Sequence, residues 1–260
     1  MFARNLLTGI GALAVAASMA SASEYQWNWT AAQGGGVNNA AGVFESINAS
    51  YNSDSQRFVW DVVFSNQVTR GYTLAINNGP NPKGHAGELA LIHFDATSLN
   101  APKVTAYAYN GQNAINSWID GNGAVAGNQT PDIIKSATDT SWINTASVSD
   151  AGGKRRFLLD VNVASINGHT PLYPSGQNDW TGAQFGSMIG LWFHTFTGLY
   201  TTYGGQGQLC DWNYNQHGWF DASNYNTVVL VPLPAGAWMG MAGLIGAGVI
   251  VRKRRAAQRG

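Results

Sequence analysis

Cysteine is almost missing from this chain: Cys210 stands alone among 260 residues. No intramolecular disulfide can staple the fold, so its stability must come from a packed core, and the lone thiol reads as a buried, inert side chain. Charge is scarce as well. Only 11% of the residues are charged, against about 25% in an average soluble domain, which argues against coiled coils and charged linkers. Residues 23 to 230 hold eight Lys/Arg against fourteen Asp/Glu, a net charge of −6, the wrong sign for a phosphate backbone, so no nucleic-acid partner is expected. Within the same span no stretch keeps apolar residues at i, i+3, i+4 and i+7 over three turns, which argues against long helices. Catalytic motifs are missing too. There is no G-x-S-x-G, no H-E-x-x-H, no Walker loop and no closely spaced pair of carboxylates on one strand of the kind glycosidases use.

What the chain does have is asparagine, glycine and aromatic rings. Residues 23 to 230 carry 23 Asn and 28 Phe, Trp and Tyr, and the whole chain carries 32 Gly. Segments 45–51, 57–65, 71–77, 88–95, 103–110, 155–163 and 188–196 are short, rich in β-branched or aromatic residues, and bounded by Gly, Asn, Asp, Ser or Pro, so each reads as a strand. Phe58, Trp60, Val62 and Phe64 alternate with Val59, Asp61 and Val63, and Val104, Ala106 and Ala108 alternate with Thr105, Tyr107 and Tyr109. That pattern puts one face inward and the other outward, as in antiparallel sheets. Seven to ten strands over this length predict an all-β fold, an antiparallel β-sandwich of jelly-roll or lectin-like type. No linker divides the span, so residues 23–230 are expected to form one domain.

The two ends read as addresses. Arg4 gives a positive start, residues 6–17 are an apolar run, and Ala20-Ser21-Ala22 is an A-x-A site; residues 1–22 are therefore expected to be a secretory signal peptide cleaved after Ala22. At the other end, residues 235–251 are seventeen uncharged, mostly apolar residues followed by Arg252, Lys253, Arg254 and Arg255. They predict one C-terminal transmembrane helix, with the basic stop held in the cytoplasm and the acidic middle outside. Gly236 and Gly240 form a G-x-x-x-G within it.

Val231-Pro232-Leu233-Pro234-Ala235, then the apolar segment, then the arginine cluster, resembles a PEP-CTERM-type sorting signal, in its VPLPA variant. Leu233 stands where the commoner form has Glu. The resemblance covers about the last thirty residues, 231–260. It implies that a membrane protease of the exosortase type recognises the motif and releases or transfers the domain that precedes it. The two prolines should keep this segment extended and unable to pair in a sheet, as a protease needs its substrate presented.

Two segments concentrate chemistry. The loop 77–88 carries three glycines and two prolines around His85 and Glu88, and a stiff loop is where binding groups are often displayed; the bland reading is an ordered connection. With segments 89–95 and 107–111 it resembles a pattern in other domains that carry the same sorting signal, a resemblance that implies no activity. Residues 210–221 pack Asp211, Trp212, Asn213, Tyr214, His217 and Trp219 into twelve positions. Aromatic faces with carboxylates and amides beside them suit a sugar ring, and the competing reading is a core-covering loop whose Trp212 and Trp219 are buried. Asp120, Asn122 and Asp132 could steady a Ca²⁺ ion, although the EF-hand spacing is not met. His93 and Asp95 share one strand face at i, i+2 and His194 ends another strand, which allows a metal pair but supplies no convincing third ligand, and no cofactor is expected. The N-x-S/T triplets at Asn28, Asn48 and Asn128 read as chance matches.

Together these features describe a bacterial exported protein. It would pass through a membrane-anchored precursor to a mature form at the cell surface or in the extracellular matrix, with a non-catalytic binding or structural role toward extracellular polysaccharide. The alternative is a glycan-active hydrolase with carboxylates from separate strands, such as Glu88 with Asp95 or Asp179 with Asp211.

Overall fold

A computed structural model describes residues 24–77, 89–109, 132–169, 185, 188–221, 228–229 and 231–232, all within the compact unit Ser23–Leu233. These residues form sixteen strands, one four-residue helix (Ala164–Asn167) and two 3-10 turns. The fold is therefore all-β with almost no helix, as the missing helical periodicity requires.

Chain order explains the pairing. β1 (Glu24–Thr30) alternates Tyr25, Trp27 and Trp29 with polar residues, and β2 (Gly36–Asn38) follows after a short turn. β3 (Phe44–Asn52) and β4 (Arg57–Phe64) make a hairpin in which every second residue of β4 is buried. β5 (Gly71–Asn77), β6 (Leu89–Asp95), β7 (Lys103–Tyr109) and β8 (Asp132–Lys135) meander antiparallel. β9 (Ile143–Ala151) and β10 (Lys154–Asn162) are joined through Gly152 and Gly153, at φ +60° and +79°. Two positive φ values in a two-residue loop are what a type I′ turn demands. β11 (Met188–Thr197), β12 (Tyr200–Tyr203), β13 (Leu209–Asn213) and β14 (Gln216–Asp221) come next, then the two-residue strands β15 (Val228–Val229) and β16 (Val231–Pro232).

One sheet has the order β16-β1-β3-β4-β10-β9, the other β2-β14-β11-β5-β6-β7-β8 with β15 also on β11; β12 and β13 pair only with each other. The inward faces of the two large sheets share one core. It takes Trp29, Phe44, Phe58, Trp60, Phe64 and Phe157 from the first sheet and Tyr72, Leu74, Ile92, Phe94 and Phe193 from the second. Phe193 sits at its centre, with ring centroids 5.1 Å from both Trp60 and Tyr72 and 5.5 Å from Phe44. Edge-to-face packing of this kind adds to the roughly 1.5–3 kcal/mol that each fully buried large side chain supplies, and so stands in for disulfides.

Three expectations need correction. Cys210 is exposed, its thiol 3.6 Å from the carbonyl oxygen of Gln208: it lies in β13, outside both large sheets. Residues 210–221 are not a loop but most of β13 and β14. Val231 and Pro232, expected to stay unpaired, register against Gln26 and Tyr25 of β1. Proline is tolerated there because β16 is an edge strand, where an N–H facing solvent can be dispensed with. Among the described residues no helix is long and apolar enough to cross a membrane. The apolar segment 235–251, the basic cluster and the signal peptide lie outside those residues.

Candidate functional site

Beneath the β12–β13 hairpin the second sheet is buried on both faces. Its outer side carries a second apolar cluster of Ala75, Leu91, Tyr107, Phe196, Leu199, Leu209 and Trp212, covered by the β12–β13 hairpin. This explains why β6 reads as an almost unbroken apolar run rather than an alternating one: Ala90 to Asp95 are all buried. Asp95 secures the hairpin. Its Oδ2 accepts hydrogen bonds from the Thr201 hydroxyl at 2.6 Å and the Tyr203 hydroxyl at 2.9 Å, and its Oδ1 accepts from the Thr97 N–H at 2.8 Å. Burial pushes the Asp95 carboxyl up, but the Thr201 and Thr97 donors with neighbouring His93 outweigh it and hold the group below its usual range. Burial, and then the Asp95 charge, push the Tyr203 phenol well up. Lys103 Nζ lies 4.2 Å from the centre of the Tyr203 ring. At its far end the hairpin is tied down by the Ala137 N–H to the Gly207 oxygen at 2.7 Å and the Thr138 hydroxyl to the Gln206 oxygen at 2.9 Å.

Strand register sets a polar row beneath and beside this hairpin. Thr105, His93, Thr73, His194, Trp219 and Asn38 are successive cross-strand neighbours from β7 to β2. His93 is fully buried, its Nδ1 3.2 Å from the Thr73 hydroxyl, and burial lowers its pKa to about 4, against the opposing pull of Asp95. Trp212 packs edge-on against Phe196 at 4.7 Å and His93 at 4.8 Å. It is 2% exposed, so its ring is committed to the second core.

Beyond the hairpin the sheet opens toward solvent. Trp192, Tyr214, His217 and Trp219 are half-buried around buried His194. Ring centroids step from Trp192 to His194 in 5.1 Å, His194 to His217 in 5.0 Å, Tyr214 to His217 in 5.3 Å and His217 to Trp219 in 5.5 Å. The exposed amides of Asn213, Asn215 and Gln216 flank this band. Asn213 turns its Oδ1 to the Tyr214 N–H at 2.7 Å. Asn215 closes the β11–β12 turn, where its side chain fills the space a Cβ on Gly198 would need and its N–H bonds the Thr197 oxygen at 2.9 Å.

The residues singled out in the sequence therefore divide. Trp212 lies inside, Trp219 and Tyr214 border the open band, and Asn213 is at the surface. The Asp211 side chain, His85, Glu88, Ala20, Ala22, Leu233, Pro234, Ala235 and Arg252 to Arg255 lie outside what the structure describes, as do Asp120, Asn122 and the Asp132 side chain. His93 and His194 share one row with Thr73 between them, and among the described residues no group of three His, Cys, Asp or Glu side chains could hold a metal. Trp192, Thr201 and Tyr203 join these groups only through strand register and the hairpin folding back, which no local pattern announces.

Five of the described carboxylates elsewhere, Glu45, Asp61, Asp139, Asp150 and Asp160, pair with Lys or Arg. Asp160 is forked by Arg57, Asp150 by Arg155 and Asp61 by Arg156. Asp139, Asp150 and Asp160 are held below the usual range, chiefly by Lys135, Arg155 and Arg57 respectively. A glycosidase acid needs the opposite, a raised pKa, and of the carboxylates named for a hydrolase only the Asp95 side chain is described, where two hydroxyls and the Thr97 N–H engage it; Glu88, Asp179 and the Asp211 side chain lie outside the described residues. On the outer face of the first sheet Glu24, Ser50, Asn52, Ser55, Arg57 and Val59 line a cleft of about 260 Å³ that holds no aromatic ring. No family model matches the chain, and no curated protein matches it.

Proposed function

We propose that this is an exported surface or matrix protein that associates with extracellular polysaccharide without catalysis. The observation that supports it is the band of half-buried rings, Trp192, Tyr214, His217 and Trp219, bordered by Asn213, Asn215 and Gln216. A sugar ring presents an apolar C–H face and an equatorial rim of hydroxyls, so flat aromatic surface with amides at its margin fits that chemistry. The same proposal includes a jelly-roll or lectin-like character for the paired sheets, a C-terminal transmembrane helix at 235–251, and sorting by an exosortase-type protease at Val231–Ala235. In it residues 1–22 are removed on export, and the precursor is held in the membrane until sorting.

Affinity electrophoresis of the exported protein through gels containing its host's extracellular polysaccharide and a panel of common glycans tests the binding claim. Retardation is expected in wild type and is expected to disappear in Trp219→Ala at unchanged stability. Unretarded migration on every polymer would remove the binding claim and leave a structural role.

A further inference from the structure

We infer that β9 is a self-association edge, and that two copies of this chain join antiparallel along it into one continuous sheet. This goes beyond the polysaccharide reading and does not rest on it. A sheet edge exposes unpaired N–H and C=O groups, and proteins usually blunt such edges with proline, lysine, bulges or brevity. The other outer strands of the two large sheets follow that rule. β16 is two residues long and carries Pro232, β2 is three residues long, and β8 is four residues long, ends in Lys135 and pairs through a register shift.

β9 does not follow it. Nine residues long, it has a strand on one side only among the described residues, and it contains neither proline nor lysine. Its register shift is confined to the first turn of pairing, between Ile143 and Thr145, which leaves Thr145–Ser149 regular. The strand's one charge, Asp150, is held by the Arg155 guanidinium, so no like charges would meet between copies.

The central residues are also self-complementary. Thr145-Ala146-Ser147-Val148-Ser149 alternates polar and apolar residues in the same way read forwards or backwards. Placed antiparallel on a two-fold axis at Ser147, each Ala146 faces a Val148, each Thr145 faces a Ser149, and Ser147 faces itself. Ala146 and Val148 are half-buried at the rim of the main core; the partner's Val148 and Ala146 would cover them, continuing the core face across the junction. Ser147 and Ser149 are exposed on the solvent face. A contact of this kind is isologous and closes at two copies.

Sedimentation velocity on the full chain in detergent, over a concentration series, tests it with the variants Ser147→Lys and Ser147→Glu. Ser147 is exposed, so neither substitution should disturb the fold. Wild type should show a monomer–dimer equilibrium. Each variant alone should weaken the dimer by at least about tenfold, because like charges meet on the axis, and an equimolar mixture of the two should restore it. In a Cys210→Ala background, Ser147→Cys should cross-link two chains on mild oxidation. A wild type that stays monomeric throughout overturns the proposal. So does a dimer indifferent to residue 147, which would point to another contact such as Gly236 and Gly240.

Discussion

His93 is fully buried, and among the described residues its Nε2 has no hydrogen-bond partner. Its pKa is about 4 in the folded chain against 6.5 for an exposed imidazole, so the folded state favours the neutral ring. The stability this implies is fully present above pH 6.5, is lost as pH falls from 6.5 towards 4, and levels off below, a change of the order of 3 kcal/mol. Asp95 has a lowered pKa, and its contribution is lost only as pH falls below the ordinary carboxylate range, so the two windows separate. Denaturant midpoints at pH 7 and pH 4.5 should show a clear loss for wild type and a much smaller one for His93→Gln. The two tryptophans of the 210–221 segment should separate as well. Trp212→Ala empties the second core and should cost about 3–5 kcal/mol, whereas Trp219→Ala, half-buried, should cost far less and act on ligand retention. Composition places both rings in the same twelve residues. Which one goes inside is decided by the hairpin's approach to Phe196, a contact between elements that local sequence does not encode.

At the scale of elements, the strands that could be read were those with one buried face and β-branched or aromatic residues on it, β4 and β7 above all. β9 is not legible locally because Ala146 and Val148 are the only apolar residues of its regular stretch, set among Ser and Thr, and its place is fixed by pairing with β10. β13 and β14 were masked by their Asn, Asp and Gly content, which in isolation signals turns. The β9–β10 connection offers a direct test of backbone conformation. A Cβ on Gly152 would meet nothing within 4 Å, so Gly152→Ala should cost only the left-handed conformation, about 1 kcal/mol, and Gly152→Asn less, as read from thermal unfolding. Gly42 makes the contrast. It has φ +139°, and a Cβ there would run into the Thr69 hydroxyl and the Phe64 ring. Thr69 itself donates to the Ala41 oxygen at 2.7 Å and cannot retreat without losing that buried bond, so Gly42→Ala should unfold the chain at temperatures where Gly152→Ala remains native.

For the whole molecule, low charge and a crowd of aromatic rings amount to one solution. A chain without disulfides holds itself together by packing rings from two sheets, then adds a third layer, β12–β13, over the second sheet's outer face. Rings left over at the uncovered end of that face become the surface a ligand would meet. The span 23–230 carries a net −6, so it cannot be drawn to acidic polysaccharides by charge and would be repelled from them. Any retention must therefore come from stacking and neutral hydrogen bonds at Trp219 and its neighbours, which salt does not screen. Binding to insoluble polysaccharide, measured by co-sedimentation from low salt to about 0.5 M, should hold constant or rise, since added salt removes the repulsion over a Debye length of about 10 Å or less. Release by salt would instead mark a cation-driven contact, through the terminal arginines or the exposed Arg57, and would move the binding surface away from the aromatic band.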